Sequence, residues 1–201
     1  MGRSMAVSVA VGLMTAAVLL GGCAPSAGEE TVYHASYPTY ASAGDLAEAA
    51  SLIVVGTVIS SEVREIDVAV QPADPDNPDL NPELGSSDAG TDGLFVFTVY
   101  QVRVDEVLEG EASAGDVIEV SQLGGEFRGR SYREEGGSPS LKARRSYALY
   151  LSTYDNGLPA SLLNPSQASY EKSGERGFES LDSRNPIAAA VVEDIQSRRG
   201  R

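Results

Sequence analysis

Few residues in this chain could support acid–base or nucleophilic chemistry. His34 is the only histidine, so a Ser-His-Asp or Cys-His mechanism would have to use it, and no serine lies in a Gly-x-Ser-x-Gly elbow. Ser169 and Lys172 match Ser-x-x-Lys, in which a lysine one helical turn away accepts the serine proton. The companion Ser-Asp-Asn and Lys-Thr-Gly motifs are missing, and the pair falls where a strand should end. We therefore predict no catalytic residue and expect His34 to be a partly exposed packing residue.

The chemistry that the sequence does predict is acylation of Cys23, the only cysteine. Arg3 precedes an apolar run from residue 5 to residue 20, and Leu20-Gly21-Gly22-Cys23 follows. This order resembles the lipobox of bacterial lipoproteins, which implies that the Cys23 thiol receives a diacylglyceryl group and that cleavage makes Cys23 the new N-terminus. The alternatives are an ordinary signal peptide and an uncleaved membrane helix, but the run is short for a span, which needs about 20 residues.

The lipobox sets the expected domain organisation. Residues 1–22 are the signal peptide, residues 23–31 a lipidated tether that is small, polar and acidic, and residues 32–201 one domain. We expect the protein on the extracytoplasmic face of the cell membrane. Its partners are then the membrane, through the lipid on Cys23, and an envelope protein. Two or more acyl chains give stable anchoring, since each buried CH₂ contributes about 0.8 kcal/mol.

The charge balance excludes several classes of partner. The formal net charge is −14, with 15 basic and 29 acidic residues. Nucleic acid is disfavoured because phosphate binding needs clustered Lys and Arg. Electrostatic docking on anionic lipid headgroups is disfavoured for the same reason. One cysteine and one histidine also leave too few soft ligands for zinc, and we predict no cofactor.

An acidic segment at residues 71–93 is the best candidate for a metal. It contains four prolines, six acidic residues and no basic residue, a composition typical of a mobile surface loop. Asp74, Asp76 and Asp79 are weak calcium candidates, because calcium prefers carboxylate oxygens. An EF-hand match fails at Pro82, where glycine is required. The simpler interpretation is a solvated acidic loop.

Two other sets of residues could form binding surfaces. Arg128, Arg130 and Arg133 lie in a segment that also holds several glycines. They could meet a carboxylate or phosphate, or the protein's own acidic loop, and we favour intramolecular pairing. Tyr33, Tyr37 and Tyr40 form either an aromatic ligand platform or packing across a barrel end, and their irregular spacing favours packing.

Hydrophobic periodicity predicts a mainly β fold. Ser42 should cap a short helix to about residue 50, and Asn185 and Pro186 should start a closing helix, as N-cap and first helical residue. Residues 63–70 either extend the first strand or form the next one. Strands are predicted from apolar runs and alternation, at residues 52–59, 94–108, 117–120 and 147–151, with one or two short ones in 160–170. Helical crossovers are missing, so we predict a small OB-like β-barrel, closed or partly open, with a short N-terminal helix and a C-terminal helix.

The order of these strands resembles a group of secreted bacterial lipoproteins, of uncharacterised function, with OB-type or netrin-like barrels. The matching segments run from about Asp45 to Tyr170 and are strand ends and turns: residues 53–58, 100–110, 115–120 and 147–151. Arg144-Arg145 replaces the glycine usual before the last of them, and residues 71–93 are an apparent insertion. The likeness implies a fold and no catalytic residues, since fold analogy supplies no function.

Three functions fit these observations. The first is a lipid-anchored binding or adaptor module that contacts its ligand through the acidic loop and the Gly/Arg segment. The second is an envelope hydrolase that uses scattered carboxylates such as Asp105, Glu106 or Glu126. The third is a calcium-responsive or salt-adapted structural surface protein. We expect the first, because carboxylate pairs are common in an acidic chain and indicate little by themselves.

Overall fold

A computed structural model describes residues 30–68, 93–175 and 177–200. Within these ranges the chain forms ten strands and two helices. The strands are β1 (Glu30–Tyr33), β2 (Leu52–Asp67), β3 (Leu94–Gly110), β4 (Val117–Leu123), β5 (Gly125–Phe127), β6 (Arg130–Glu134), β7 (Ser146–Ser152), β8 (Ala160–Leu162), β9 (Ser169–Ser173) and β10 (Gly177–Ser180). The helices are α1 (Ala43–Ala49) and α2 (Ala188–Arg199).

Five of the strands form a ring. β2 pairs with β7 and β3, β3 with β4, β4 with β8, and β8 with β7. All of these pairings are antiparallel except β4 with β8, which is parallel. β8 is the weak point, because each of its two pairings joins only two residues. β9 and β10 extend the sheet beyond β7. The predicted small OB-like barrel is therefore confirmed.

The long strands β2 and β3 bend to close the ring. β2 shows three register shifts against β3, one of them between Val58 and Ser60, and such bulges bend a strand and increase its twist. Residues 63–67 extend the first strand and do not form a separate one. Past residue 57, β2 leaves β7 and continues with β3 as a projecting hairpin. This hairpin forms one wall of the site described below.

A second, three-stranded sheet was not predicted. β5 and β6 form a hairpin, and β1 adds to β6 in parallel. The turn of the hairpin is Arg128-Gly129, with φ of 49° and 79°, as a two-residue type I′ turn requires. β1 begins at Glu30, so the last two residues of the predicted tether belong to a strand. The Gly/Arg segment is thus folded structure beside the N-terminal strand.

The core lies inside the ring and beneath α1 and α2. Its largest fully buried side chains include Tyr147, Tyr150 and Tyr170, whose hydroxyls all have partners. The Tyr147 hydroxyl accepts from the backbone N–H of Lys142, and Tyr150 donates to Asp194. Buried tyrosines need such partners because a lone buried polar group is costly. The strands predicted as continuous apolar runs supply most of the core.

The N-terminal helix begins as predicted. The Ser42 hydroxyl accepts from the backbone N–H of Asp45 at 3.1 Å, which satisfies one of the free donors at the start of a helix. The helix ends at Ala49, one residue before the predicted end. Leu46 and Ala47 are buried, and α1 thereby packs against the core.

The start of the C-terminal helix differs from the prediction. Asn185 is not the N-cap and Pro186 is not helical, because α2 begins at Ala188 with Ile187 as its N-cap. The Asn185 side chain is used elsewhere. Its amide donates to the Tyr170 hydroxyl at 2.9 Å, and its Oδ1 accepts from the backbone N–H of Ile187 at 3.1 Å. The Asn185 side chain, which local sequence predicts as the helix cap, therefore bonds to the buried Tyr170.

Candidate functional site

A groove with a volume of about 700 Å³ lies beside the parallel β4–β8 seam. Its floor comes from Phe97 on β3, Ser121 on β4 and Ser161 on β8. One wall is the end of β2 at residues 66–68, and the other is the loop that joins β7 to β8, at residues 154–159. Cavities of about 300–1,000 Å³ are typical of ligand sites.

The groove is lined mainly by apolar and aromatic groups. Tyr154 is 44% exposed and holds its ring at the opening, with its hydroxyl 2.7 Å from Ser161 Oγ. Ile66, Leu158 and the Phe97 ring supply further apolar surface. Among the described residues that line it, Asp67 alone carries a charge. Such a surface suits an uncharged ligand with flat apolar faces, because aromatic rings bury large areas at little entropic cost.

A smaller cavity of about 200 Å³ continues the groove inward. It shares Phe97, Ser121 and Ser161 with the groove and reaches Tyr37 and Leu123. Ser121 itself is buried, and its hydroxyl donates to the Ala160 carbonyl at 3.2 Å. Because this bond ties β4 to β8 directly under the groove, the floor is held in place before any ligand arrives.

The loop that forms the outer wall is also ordered by its own contacts. Its sequence is Tyr154-Asp155-Asn156-Gly157-Leu158, and Asn156 Oδ1 accepts from the backbone N–H of Leu158 at 3.2 Å. An Asn side chain that accepts from the backbone two residues later forms an Asx-turn. The turn holds Tyr154 and Leu158 on the same side of the loop, where both line the groove.

Neither His34 nor the Ser-x-x-Lys pair lies in a catalytic arrangement. His34 is exposed, and its Nδ1 is 2.7 Å from Glu135 Oε2. Ser169 is buried on β9 and donates to the Pro165 carbonyl at 3.4 Å. Lys172 lies three residues later on the same strand and is exposed. Residues three apart on a strand point to opposite faces, so Lys172 is not placed to take the serine proton.

The three N-terminal tyrosines are separated, as the packing interpretation predicted. The Tyr33 ring meets the Phe95 ring edge-on at a centroid distance of 5.4 Å. Tyr40 packs against the core, and its backbone N–H donates to Gln167. Tyr37 lines the inner end of the groove. The three rings therefore form no shared platform.

The predicted arginine surface is paired within the protein. Arg128 lies 3.7 Å from a carboxylate oxygen of Glu65, and its guanidinium is 4.8 Å from the centroid of the Phe127 ring. Arg133 donates to Glu30 at 2.6 Å, and Arg130 begins β6. The partners of Arg128 and Arg133 are carboxylates of β2 and β1. The favoured pairing with the acidic loop at residues 71–93 stays a prediction, because residues 69–92 lie outside the described ranges. Ion pairs this exposed contribute little to stability.

The carboxylates proposed for hydrolysis lie in separate places. Asp105 accepts from Thr57 at 2.6 Å and from Arg103, whereas Glu106 accepts from Arg199 of α2 at 2.7 Å. Glu126 is exposed on β5. None of the three lines the groove.

Several predicted residues lie outside the described ranges. They are Cys23, the signal peptide, and the calcium candidates Asp74, Asp76 and Asp79. In the part of the chain that the structure describes, no three His, Cys, Asp or Glu side chains come together to hold a metal ion. The same part contains no helix that is long and apolar enough to span a membrane.

Sequence reasoning did not identify the groove. Phe97 was interpreted only as a strand residue, Ser121 lay just beyond the predicted strand at residues 117–120, and Tyr154 was not singled out. A local signal did exist, since Tyr154 stands next to an Asp-Asn-Gly turn, and exposed aromatics on loops are frequent in binding sites. What was missing is the position of the loop, because strand closure brings residues 154–161 beside residues 66–68.

The fold and the groove together define a class: a small OB-like β-barrel with a lateral, mostly apolar groove. Comparison of the chain with models of protein families, with characterised proteins and with solved structures gave no match.

Proposed function

We propose that this protein is a lipid-anchored binding lipoprotein of the cell envelope, whose barrel groove binds an uncharged oligosaccharide outside the membrane. The observation that carries the binding role is the groove itself, with Tyr154 exposed at its mouth and Phe97 on its floor. The anchor is inferred from Cys23 and the residues before it. Asp105, Glu106 and Glu126 lie apart from the groove, which favours binding over hydrolysis.

The choice of an uncharged oligosaccharide follows from charge and shape. A chain of net charge −14 repels polyanions, and the groove adds one more negative group, Asp67. Sugar rings present flat C–H faces that pack on aromatic rings, while Ser161 and Asn156 offer hydrogen bonds to hydroxyls. On OB-type barrels, this face and the loops that flank it are a common place for oligosaccharides.

The anchor predicts a clear result for Cys23→Ser. The unaltered chain should sediment with membranes and be released by detergent but not by high salt, because lipid burial is insensitive to ionic strength. Cys23→Ser should lose the lipid and keep the 22 residues that precede the cleavage site. The N-terminal peptide is to be measured by mass spectrometry in both proteins. Ser26→Ala is the matched control and should stay lipidated. A lipidated Cys23→Ser protein, or an unaltered chain with a free thiol, would contradict the anchor.

The groove predicts a loss of binding in Tyr154→Ala. The probes are cellohexaose and chitohexaose, both uncharged, titrated into the full chain in detergent by calorimetry. Loss of the ring should weaken binding about tenfold to a hundredfold, since stacking on an aromatic ring is worth about 1–3 kcal/mol. Tyr154→Phe keeps the ring and should bind about twofold to tenfold more weakly than the unaltered chain and more tightly than Tyr154→Ala, because a single neutral hydrogen bond contributes only about 0.5–1.5 kcal/mol.

Val117→Ala serves as the surface control for that titration. Val117 is 52% exposed and does not line the groove. Its loss should leave the affinity unchanged. Equal affinities for Tyr154→Ala and Val117→Ala, or no binding of either probe to the unaltered chain, would remove the oligosaccharide proposal while leaving the anchor untouched.

A further inference from the structure

A second cavity lies on the other side of Tyr37, away from the groove. Its volume is about 420 Å³. It is an open cavity lined by the end of β6, the glycine turn after it at residues 136–137, the turn at residues 164–167, and the approach to α2. The groove and its inner extension are mostly apolar, whereas this cavity is lined by carboxylates, amides and hydroxyls. It therefore suits a different kind of ligand.

Glu134 gives this cavity its chemistry. The residue is only 7% exposed and lines the cavity. Its carboxylate accepts a hydrogen bond from the neutral hydroxyl of Ser138, and the Tyr37 phenol lines the same cavity. Among the described residues, no Lys, Arg or His forms an ion pair with it. Buried carboxylates are usually paired with a cation, because neutral donors compensate only part of the lost hydration.

The phenol of Tyr37 lies in the same wall of the cavity as Glu134. Burial, followed by the negative charge of Glu134, raises the pKa of Tyr37, so the phenol stays protonated. An ionised carboxylate can accept about four hydrogen bonds, so the Ser138 hydroxyl leaves Glu134 with acceptor capacity.

The other charges that line the cavity already have partners. Asp182 binds Arg184 through both carboxylate oxygens, at 3.1 and 3.0 Å. The Arg184 hydrogen bonds lower the pKa of Asp182 to about 2, so that carboxylate is charged. Glu135 is paired with His34. The lining thus carries three carboxylates against one guanidinium. Among the described residues, Glu134 is the one of these three carboxylates that forms no ion pair with a basic side chain.

The walls of the cavity are held by hydrogen bonds between distant parts of the chain. Gln167 binds both the N–H and the carbonyl of Tyr40, at 2.9 and 3.0 Å. Asn164 donates to the carbonyl of Pro38 at 2.9 Å. These bonds fix the segment that carries Tyr37 against the turn at residues 164–167. A ligand would meet a preformed site and would not have to order it, which favours affinity.

We propose that this cavity is a second ligand site, which takes a small polar molecule through a primary ammonium group bound to Glu134 and Tyr37. A metal ion fits less well, because calcium takes six to eight oxygen ligands and, in the described part of the chain, no three acidic, His or Cys side chains are placed so that they could hold one ion. The volume suits a molecule the size of a monosaccharide, and the Ser166 and Asn164 side chains in the wall match its hydroxyls. An amino sugar combines both features.

The matched probes are glucosamine and N-acetylglucosamine, which differ in the presence of the cation. Each is titrated by calorimetry into the full chain in detergent, at a pH where the amine is protonated. Glucosamine should bind and N-acetylglucosamine should bind at least tenfold more weakly. Glu134→Gln keeps the hydrogen-bond acceptor but removes the charge, and should weaken glucosamine at least tenfold. Glu126→Gln makes the same charge change on β5, away from the cavity, and should bind like the unaltered chain.

Three results would overturn the second site. They are the absence of glucosamine binding to the unaltered chain, equal binding of the two sugars, and equal binding by Glu134→Gln and Glu126→Gln. A urea titration of each variant shows whether it is folded, and Tyr37→Phe provides a second test because it keeps the Glu134 charge. Tyr37→Phe should weaken glucosamine binding about tenfold to a hundredfold, since one hydrogen bond to a charged partner is lost. Tyr154→Ala should leave glucosamine binding unchanged, which separates this site from the groove.

Discussion

Gly124→Ala is expected to lower the free energy of unfolding by about 2–5 kcal/mol, the sum of a backbone cost and a steric clash. Gly124 joins β4 to β5, with φ of 98°. A side chain in this left-handed region costs about 1–2 kcal/mol. A Cβ atom would also lie 2.6 Å from the Tyr132 carbonyl oxygen, where atoms essentially never approach. Backbone does not move aside easily, so we expect overpacking to add about 1–3 kcal/mol.

Gly115→Ala is the matched control for this substitution. Gly115 has the same φ of 98°, but no atom lies within 4 Å of the Cβ position. It should therefore lose only the backbone part, about 1–2 kcal/mol. Urea unfolding of the two variants and the unaltered chain gives both values. If Gly115→Ala were as destabilising as Gly124→Ala, the clash with Tyr132 would not be the cause.

The loss of stability at Gly124 should have a structural consequence as well. The Gly124 N–H donates to the Val96 carbonyl at 2.8 Å, and its carbonyl accepts from the Thr98 hydroxyl at 2.8 Å. These bonds seat the three-stranded sheet against β3. We expect Gly124→Ala to loosen that sheet. Relative to the unaltered chain, the hydrogen-exchange rates of the variant should increase more in β5 and β6 than in β7.

Arg198→Ala is expected to lower the free energy of unfolding by about 2–3 kcal/mol, because it leaves the partly buried Asp194 carboxylate without a cation. Arg198 is 17% exposed and bonds to Asp194 on α2 at 2.6 Å and to Glu109 on β3. Asp194 also accepts from the Tyr150 hydroxyl, inside the core. The arginine thus joins the C-terminal helix to two strands of the barrel, and its loss should free the end of α2.

Arg103→Ala provides the control at an exposed position. Arg103 also binds a carboxylate, that of Asp105 at 2.9 Å, but it is 51% exposed. Exposed pairs contribute about 0.2–1 kcal/mol, because water screens them and two long side chains lose freedom. The two variants are compared by thermal and urea unfolding. Equal losses for the two arginines would contradict a structural role for the bond network at Asp194.

Much of the fold was readable from local sequence. The strands of the ring were found because their residues are β-branched or aromatic in runs, as at Leu52–Val58 and Leu94–Val104. The cap at Ser42 was found because a serine side chain satisfies an N–H three residues later whatever surrounds it. Both signals depend on neighbours in sequence, so the strands and the cap can be predicted without knowledge of the fold.

Elements that depend on distant contacts were missed or misplaced. The three-stranded sheet consists of strands of three to five residues, which are too short for periodicity to be evident. They are strands because β1 pairs with β6 across about a hundred residues. Asn185 was assigned as a helix cap on local grounds, but its side chain bonds to Tyr170, a partner that only the folded chain brings near.

The candidate sites show the same division more strongly. The sequence by itself determined the acidic charge and supplied the lipobox-like residues before Cys23 on which the proposed anchor rests, because these depend on composition and short spacing. Only the tertiary structure decided the groove and the second cavity. Strand pairing and closure of the ring place Tyr154 and Ile66 in one groove, and Glu134 and Tyr37 in one cavity. A site made of residues about ninety positions apart exists only once those distant strands have paired, because local spacing does not encode which surfaces will face each other.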